Sequence, residues 1–74
     1  MRYNAKSIGQ IVKSTRKGLG VTQRELALSS GTGLRFIIEL EQGKPSCQLE
    51  KSLTVIRTLG IKLEFHAPKP SGIE

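Results

Sequence analysis

The stretch "QRELALSSGTGLRFIIELEQG", residues 23–43, constrains the fold more tightly than any other part of the chain. Two short runs of helix formers flank Gly31 and Gly33, and a third glycine, Gly43, closes the second run. Thr22 stands just before the first run with Glu25 three positions later, the spacing of a capping box. A helix is therefore expected to begin at Gln23, with Leu26 and Ala27 turned inward. Gly31 supplies the left-handed conformation of a tight helix stop, and Gly33 occupies the place where Ser, Thr or Asp is the usual cap. A further helix then runs from about Leu34 to just before Gly43. Two short helices joined by a glycine-containing turn of three or four residues make a helix-turn-helix, which holds the second helix steeply against the first. Ala27 is small enough for close approach, and Ile37 and Leu40 face the core. Leu34, Arg35, Ile38 and Glu39 are left pointing outward, and the exposed N-terminal residues of such a helix are the ones that reach base edges in a major groove.

The remaining elements are expected around this unit. Ile8, Ile11 and Val12, with Thr15 and Leu19 beyond, recur at helical spacing behind Ser7 as a cap, which predicts an amphipathic helix over 7–17 ended by "KGLG". After Gly43 comes a loop with Pro45, a Ser46 cap, and a helix carrying Leu49, Leu53, Ile56 and Leu59 on one stripe, stopped at Gly60. "IKLEFHA" alternates, with Ile61, Leu63 and Phe65 on one face and Lys62, Glu64 and His66 on the other, the pattern of a half-buried strand. Nothing else in the chain alternates well enough to pair with it. Its expected partner is the same strand of a second copy, with Ile61, Leu63 and Phe65 at the homodimer interface. The expected fold is thus all-α, four to five helices with a C-terminal β-strand paired across a homodimer, in one domain over 1–67 followed by a flexible tail over 68–74.

Charge narrows the function. Twelve Lys and Arg against six Asp and Glu leave a net charge of +6. The excess is concentrated in the first half, where Glu25 is the sole acid before Glu39. That asymmetry points to nucleic acid. Lys13, Arg16, Lys17, Arg24 and Lys44 are candidate phosphate contacts, each of which alone reads more often as a solvated charge but which together are more persuasive. Cys47 is the single cysteine, so neither an intrachain disulfide nor a zinc site is expected, and a reducing cytoplasm fits. No apolar run is long enough for a membrane span or signal peptide. No nucleophile, acid–base pair or phosphate loop argues for an enzyme, and no cofactor is called for. His66 has no companion for metal or catalysis.

"TQRELA", Gly31, "RFIIELEQGKPS" and "LGIKLEF" together resemble the Cro/C1-type (XRE) helix-turn-helix family, in particular its HipB-like antitoxin branch, over about residues 7–66. Gly33 replaces the family's usual Ser or Thr cap, Thr32 a bulky aliphatic, and Leu34 a polar residue often used in base contact. The resemblance implies a cytoplasmic, nucleoid-associated dimer that represses its own operon at a palindromic operator and restrains a HipA-like serine/threonine kinase toxin. It also implies phosphate contact by Gln23 at the start of the second helix, otherwise an ordinary N-terminal polar residue, and Thr22 beside it is a further candidate phosphate contact. Arg35 can grip guanine O6 and N7 or pair with Glu39 one turn on, and Glu39 can hold that guanidinium or accept from cytosine N4. Ile38 can meet a thymine methyl or serve a core or interface, and Phe36 packs behind the helix against the backbone of the DNA. A phage or restriction-modification repressor without a toxin stays open, as does a module whose main task is protein interaction.

Overall fold

The computed structural model describes residues 3–64. They form four helices, α1 (Ala5–Gly18), α2 (Gln23–Ser30), α3 (Leu34–Glu41) and α4 (Leu49–Thr58). Helix α1 starts earlier than Ser7 because Asn4 is the cap. The Asn4 side chain accepts from the Ser7 amide at 2.8 Å, and Ser7 Oγ accepts from the Asn4 amide at 2.9 Å. Ser7 is the reciprocal partner in that box. Thr22 and Glu25 form the expected second box, at 3.0 and 2.9 Å. Gly33 caps α3 with its backbone in an ordinary extended conformation and no side-chain bond. The cap of α4 is Gln48 rather than Ser46.

All four helices stop by one device. A glycine with positive φ, at 20, 31, 43 or 60, follows the last turn. The next residue then donates five positions back: Val21 to Arg16, Thr32 to Ala27, Lys44 to Glu39 and Ile61 to Ile56, each at 3.1 Å. This paired closure satisfies carbonyls that would otherwise be orphaned at each helix end, and the left-handed turn it needs favours glycine. It also bends Val21 and Ile61 back onto the apolar interior.

That interior consists of Val12, Leu26, Ala27, Ile37, Leu40, Val55, Ile56 and Leu59. Helix α1 packs on α3, and α2 packs on both α3 and α4. The α1–α3 approach is close enough to exclude a side chain: a Cβ on Gly9 would lie 2.3 Å from the Leu40 carbonyl oxygen and 2.9 Å from that of Glu41. Leu19, expected on the apolar stripe of α1, is exposed instead.

The expected C-terminal strand is corrected. Residues 61–64 carry no strand, and no strand is present among the described residues. Alternation assigns side chains to faces, but a strand exists only through hydrogen bonds to another extended backbone. Here the Ile61 amide is committed to the stop of α4 instead. Among the described residues the strand expected to pair across a dimer is therefore absent. Phe65, His66 and the domain boundary at residue 67 lie outside the described residues.

Candidate nucleic-acid interface

Helices α2 and α3 and the Gly31 turn build the helix-turn-helix, and the amphipathic pattern of α3 decides what it presents. Ile37 and Leu40 point inward and are buried. Leu34 and Ile38 are half-buried on the outer side, and the Arg35 side chain is 92% exposed. Arg35 Nε lies 3.5 Å from Glu39 Oε2, one helical turn away, and Lys44 Nζ lies 3.2 Å from the same oxygen. Of the four residues expected at base edges, Arg35 and Glu39 are thus already linked. Phe36 is half-buried against the core, with Lys51 Nζ 5.9 Å from its ring centre.

Lys13 and Lys17 on α1, Arg24 on α2 and Lys44 beyond α3 are exposed. Arg16 is not a surface charge. Its Nε donates to Glu41 Oε2 at 2.6 Å, Nη2 to Oε1 at 3.1 Å, and Nη1 to the Val21 carbonyl at 2.8 Å, with both charged side chains buried. The hydrogen bond to Glu41 pushes the guanidinium pKa above its ordinary value, against the opposing pull of desolvation and with further help from the carboxylate's charge. This bidentate pair ties α1 to the end of α3 and removes Arg16 from the set of phosphate contacts.

Gln23 completes the network by donating from Nε2 to Glu41 Oε1 at 3.0 Å. An amide nitrogen carries two hydrogens, so the second stays available at the N-terminus of α2, where unsatisfied backbone amides also favour an anion. Thr22 is exposed beside it. The role of Glu41 was not apparent from sequence. The one signal for it was an acid at the end of an otherwise apolar stripe, a position where a carboxylate has to find a partner.

Outside the helix-turn-helix, the start of α1, one side of α4 and residues 61–63 line a groove of about 690 Å³, with Tyr3, Ile11, Leu49 and Leu63 exposed along it and Ile8 and Leu53 deeper. Ile61 and Leu63, expected at a dimer interface, both line this groove. Cys47, also on its wall, has its thiol pKa pushed up by burial first and by the nearby Glu39 charge second. It is therefore a neutral apolar group at neutral pH. Among the described residues no cluster of His, Cys, Asp or Glu could hold a metal ion, and no helix is long and apolar enough to cross a membrane.

No protein-family model matches the sequence. The chain is 48% identical over 61 residues, 82% of its length and 80% of the relative's, to the uncharacterized HTH-type transcriptional regulator y4mF of Sinorhizobium fredii. Its fold superposes on HipB in an O4 20mer complex with a TM-score of 0.81 at 22% identity, covering 93% of this chain and 97% of that one. A HipB variant in an O2 20mer complex gives 0.82 at 22% identity, over 93% and 96%. The clp gene regulator ClgR of C. glutamicum gives 0.70 at 31% identity, over 84% of this chain and 80% of that one. With a helix-turn-helix in register, a relative of this identity and coverage, and these shared folds, the chain belongs to the Cro/C1-type helix-turn-helix family of transcriptional regulators.

Proposed function

We propose that the protein is a sequence-specific repressor that binds a two-fold operator in its own promoter as a homodimer, and that it is the antitoxin of a HipA-like serine/threonine kinase. The observation that carries the DNA reading is the outer face of α3, where an almost fully exposed Arg35 stands between half-buried Leu34 and Ile38. In this reading α3 enters the major groove. Arg35 grips guanine, Glu39 accepts from cytosine, and Leu34 and Ile38 meet thymine methyls. Lys13, Lys17, Thr22, Gln23, Arg24, Phe36 and Lys44 hold the sugar–phosphate backbone and set the register. The dimer forms through the apolar groove of α1 and α4, with Ile61 and Leu63 contributing side chains, and spaces the two α3 helices about 34 Å apart. The likeness of the fold to HipB supports the antitoxin reading, as does the motif "RFIIELEQGKPS".

The test is binding of the purified protein to its own upstream DNA and to a scrambled duplex at two salt concentrations, with and without the product of the neighbouring gene. Strong preference for the promoter, with a further shift when the neighbour is added, is the expected result. Equal binding to both duplexes that salt abolishes refutes sequence-specific repression, because counterion release alone produces that behaviour. A promoter complex indifferent to the neighbouring product refutes the antitoxin assignment and leaves the repressor.

A further inference from the structure

One carboxylate oxygen on the outer face of α3 serves two cations. Glu39 Oε2 lies 3.2 Å from Lys44 Nζ and 3.5 Å from Arg35 Nε, and the Glu39 side chain is 30% exposed while those of Lys44 and Arg35 are 49% and 92%. The backbone places both cations within reach of the carboxylate. Arg35 sits one turn before Glu39 on the same helix, and Lys44 is anchored by its own amide donating to the Glu39 carbonyl at 3.1 Å in the helix stop. The carboxylate is thus an anion lying within ion-pair distance of both cations, the same kind of group that a DNA phosphate would offer them.

We infer that Glu39 is a specificity-determining residue that acts as an internal competitor for DNA phosphates. It holds Arg35 and Lys44 in the free protein and lowers the affinity of this face for DNA that offers phosphates alone. Any duplex that recruits these cations must displace them from Glu39 and bring a phosphate close to its negative charge. A noncognate duplex returns only phosphate contacts for that displacement. A cognate one returns a bidentate guanine contact to Arg35 and a cytosine amino group to the freed carboxylate. Discrimination thus arises from repulsion applied to every sequence and relieved at the right one. Each ion pair is weak in water, so the effect lies in the shared geometry rather than in either pair alone. The inference rests on the DNA reading proposed above.

The experiment compares the wild-type protein with Glu39→Gln on the upstream promoter duplex and on a scrambled duplex of equal length, across a salt series. Glutamine keeps the size and removes the charge at a partly exposed site, and the circular dichroism melt checks that the fold is retained. The variant is expected to bind the scrambled duplex about 5-fold more tightly, with a salt slope steeper by about 1 to 2 as one or two freed cations engage phosphates. Its promoter affinity rises less or falls, so the ratio between duplexes shrinks. Lys44→Ala is expected to weaken scrambled-duplex binding more in the Glu39→Gln background than in the wild type, because only there is Lys44 free. Unchanged affinity and slope on the scrambled duplex, or an equal loss on both duplexes with an unchanged melt, overturns the inference. If the wild-type protein fails to prefer the promoter, sequence-specific repression falls by itself, while competition by Glu39 is still decided on the scrambled duplex.

Discussion

Gly9→Ala separates two physical effects that ordinarily point the same way. In the interior of α1 (Ala5–Gly18), replacing glycine by alanine removes backbone freedom from the unfolded chain and is worth up to about 1 kcal/mol of stability by helix propensity. The structure predicts the opposite sign. The new Cβ would stand 2.3 Å from the Leu40 carbonyl oxygen, 2.9 Å from the Glu41 oxygen and 3.1 Å from the Glu41 carbonyl carbon. All three are backbone atoms, so no rotamer change relieves the overlap, and α1 has to lift from α3 by about 1 Å to restore ordinary contact. That displacement loosens Val12 in the core and stretches the 2.6 Å bond between Arg16 and Glu41. Overpacking of this kind costs about 1–3 kcal/mol and sits at the upper end when the obstacle is main chain. Set against the propensity gain, the net loss is about 2 kcal/mol, and a domain of this size loses roughly 4–8 °C in Tm per kcal/mol. Thermal melts followed by circular dichroism, at one fixed protein concentration because association shifts Tm, should therefore show a fall of about 10 °C. Gly18→Ala is the internal control: it lies on the same helix, with nothing within 4 Å of the added carbon, and should leave Tm unchanged or slightly higher. A rise in Tm for both variants would falsify the close-approach argument and leave propensity as the sole term.

Arg16→Ala leaves the Glu41 carboxylate buried without its bidentate partner and should cost about 3–5 kcal/mol, measured by urea denaturation, whereas Arg16→Met combined with Glu41→Leu should recover most of that loss. Stability of the double variant no better than that of the single one would mean that the ion pair is not the source of the effect. Arg35→Ala should weaken promoter binding by about 1–3 kcal/mol and relax the preference at one base pair, read by fluorescence anisotropy against single-site operator variants. Lys13→Ala should instead weaken all sequences alike and reduce the salt slope by about 1; a sequence-dependent loss would place Lys13 at a base edge. Leu63→Asp sets a charge on the rim of the apolar groove and should shift sedimentation from dimer to monomer at micromolar concentration, and an unchanged dimer would move the contact elsewhere.

The helix-turn-helix was legible because its signals are local. Thr22 with Glu25 marks one helix start, and the glycines at 20, 31, 43 and 60 mark four stops, all within a few residues of the backbone they govern. The start of α1 differs by two residues from the pattern because Asn4 and Ser7 are both good caps, and their reciprocal bonding makes either look like the first. Arg16 could not be told from Lys13 or Lys17 by inspection. Its partner lies 25 residues away, and only packing of α1 on α3 brings the two together. The same holds for Gly9, whose neighbours are carbonyls of another helix. The alternation over 61–66 was real as a pattern, yet pairing depends on a second backbone that a pattern does not contain. The outward face of α3 was readable from helical periodicity, but the sharing of Glu39 between Arg35 and Lys44 depends on how the helix ends.

Helices α2 and α3 are eight residues each, shorter than an isolated helix needs to hold its shape in water, which takes about 12–15 residues. The segment proposed to read bases therefore has no independent existence and persists only while the core beneath it is intact. Operator occupancy is then tied to the folded fraction, so a core change that brings the domain close to its unfolding midpoint lowers occupancy without touching one side chain at the DNA.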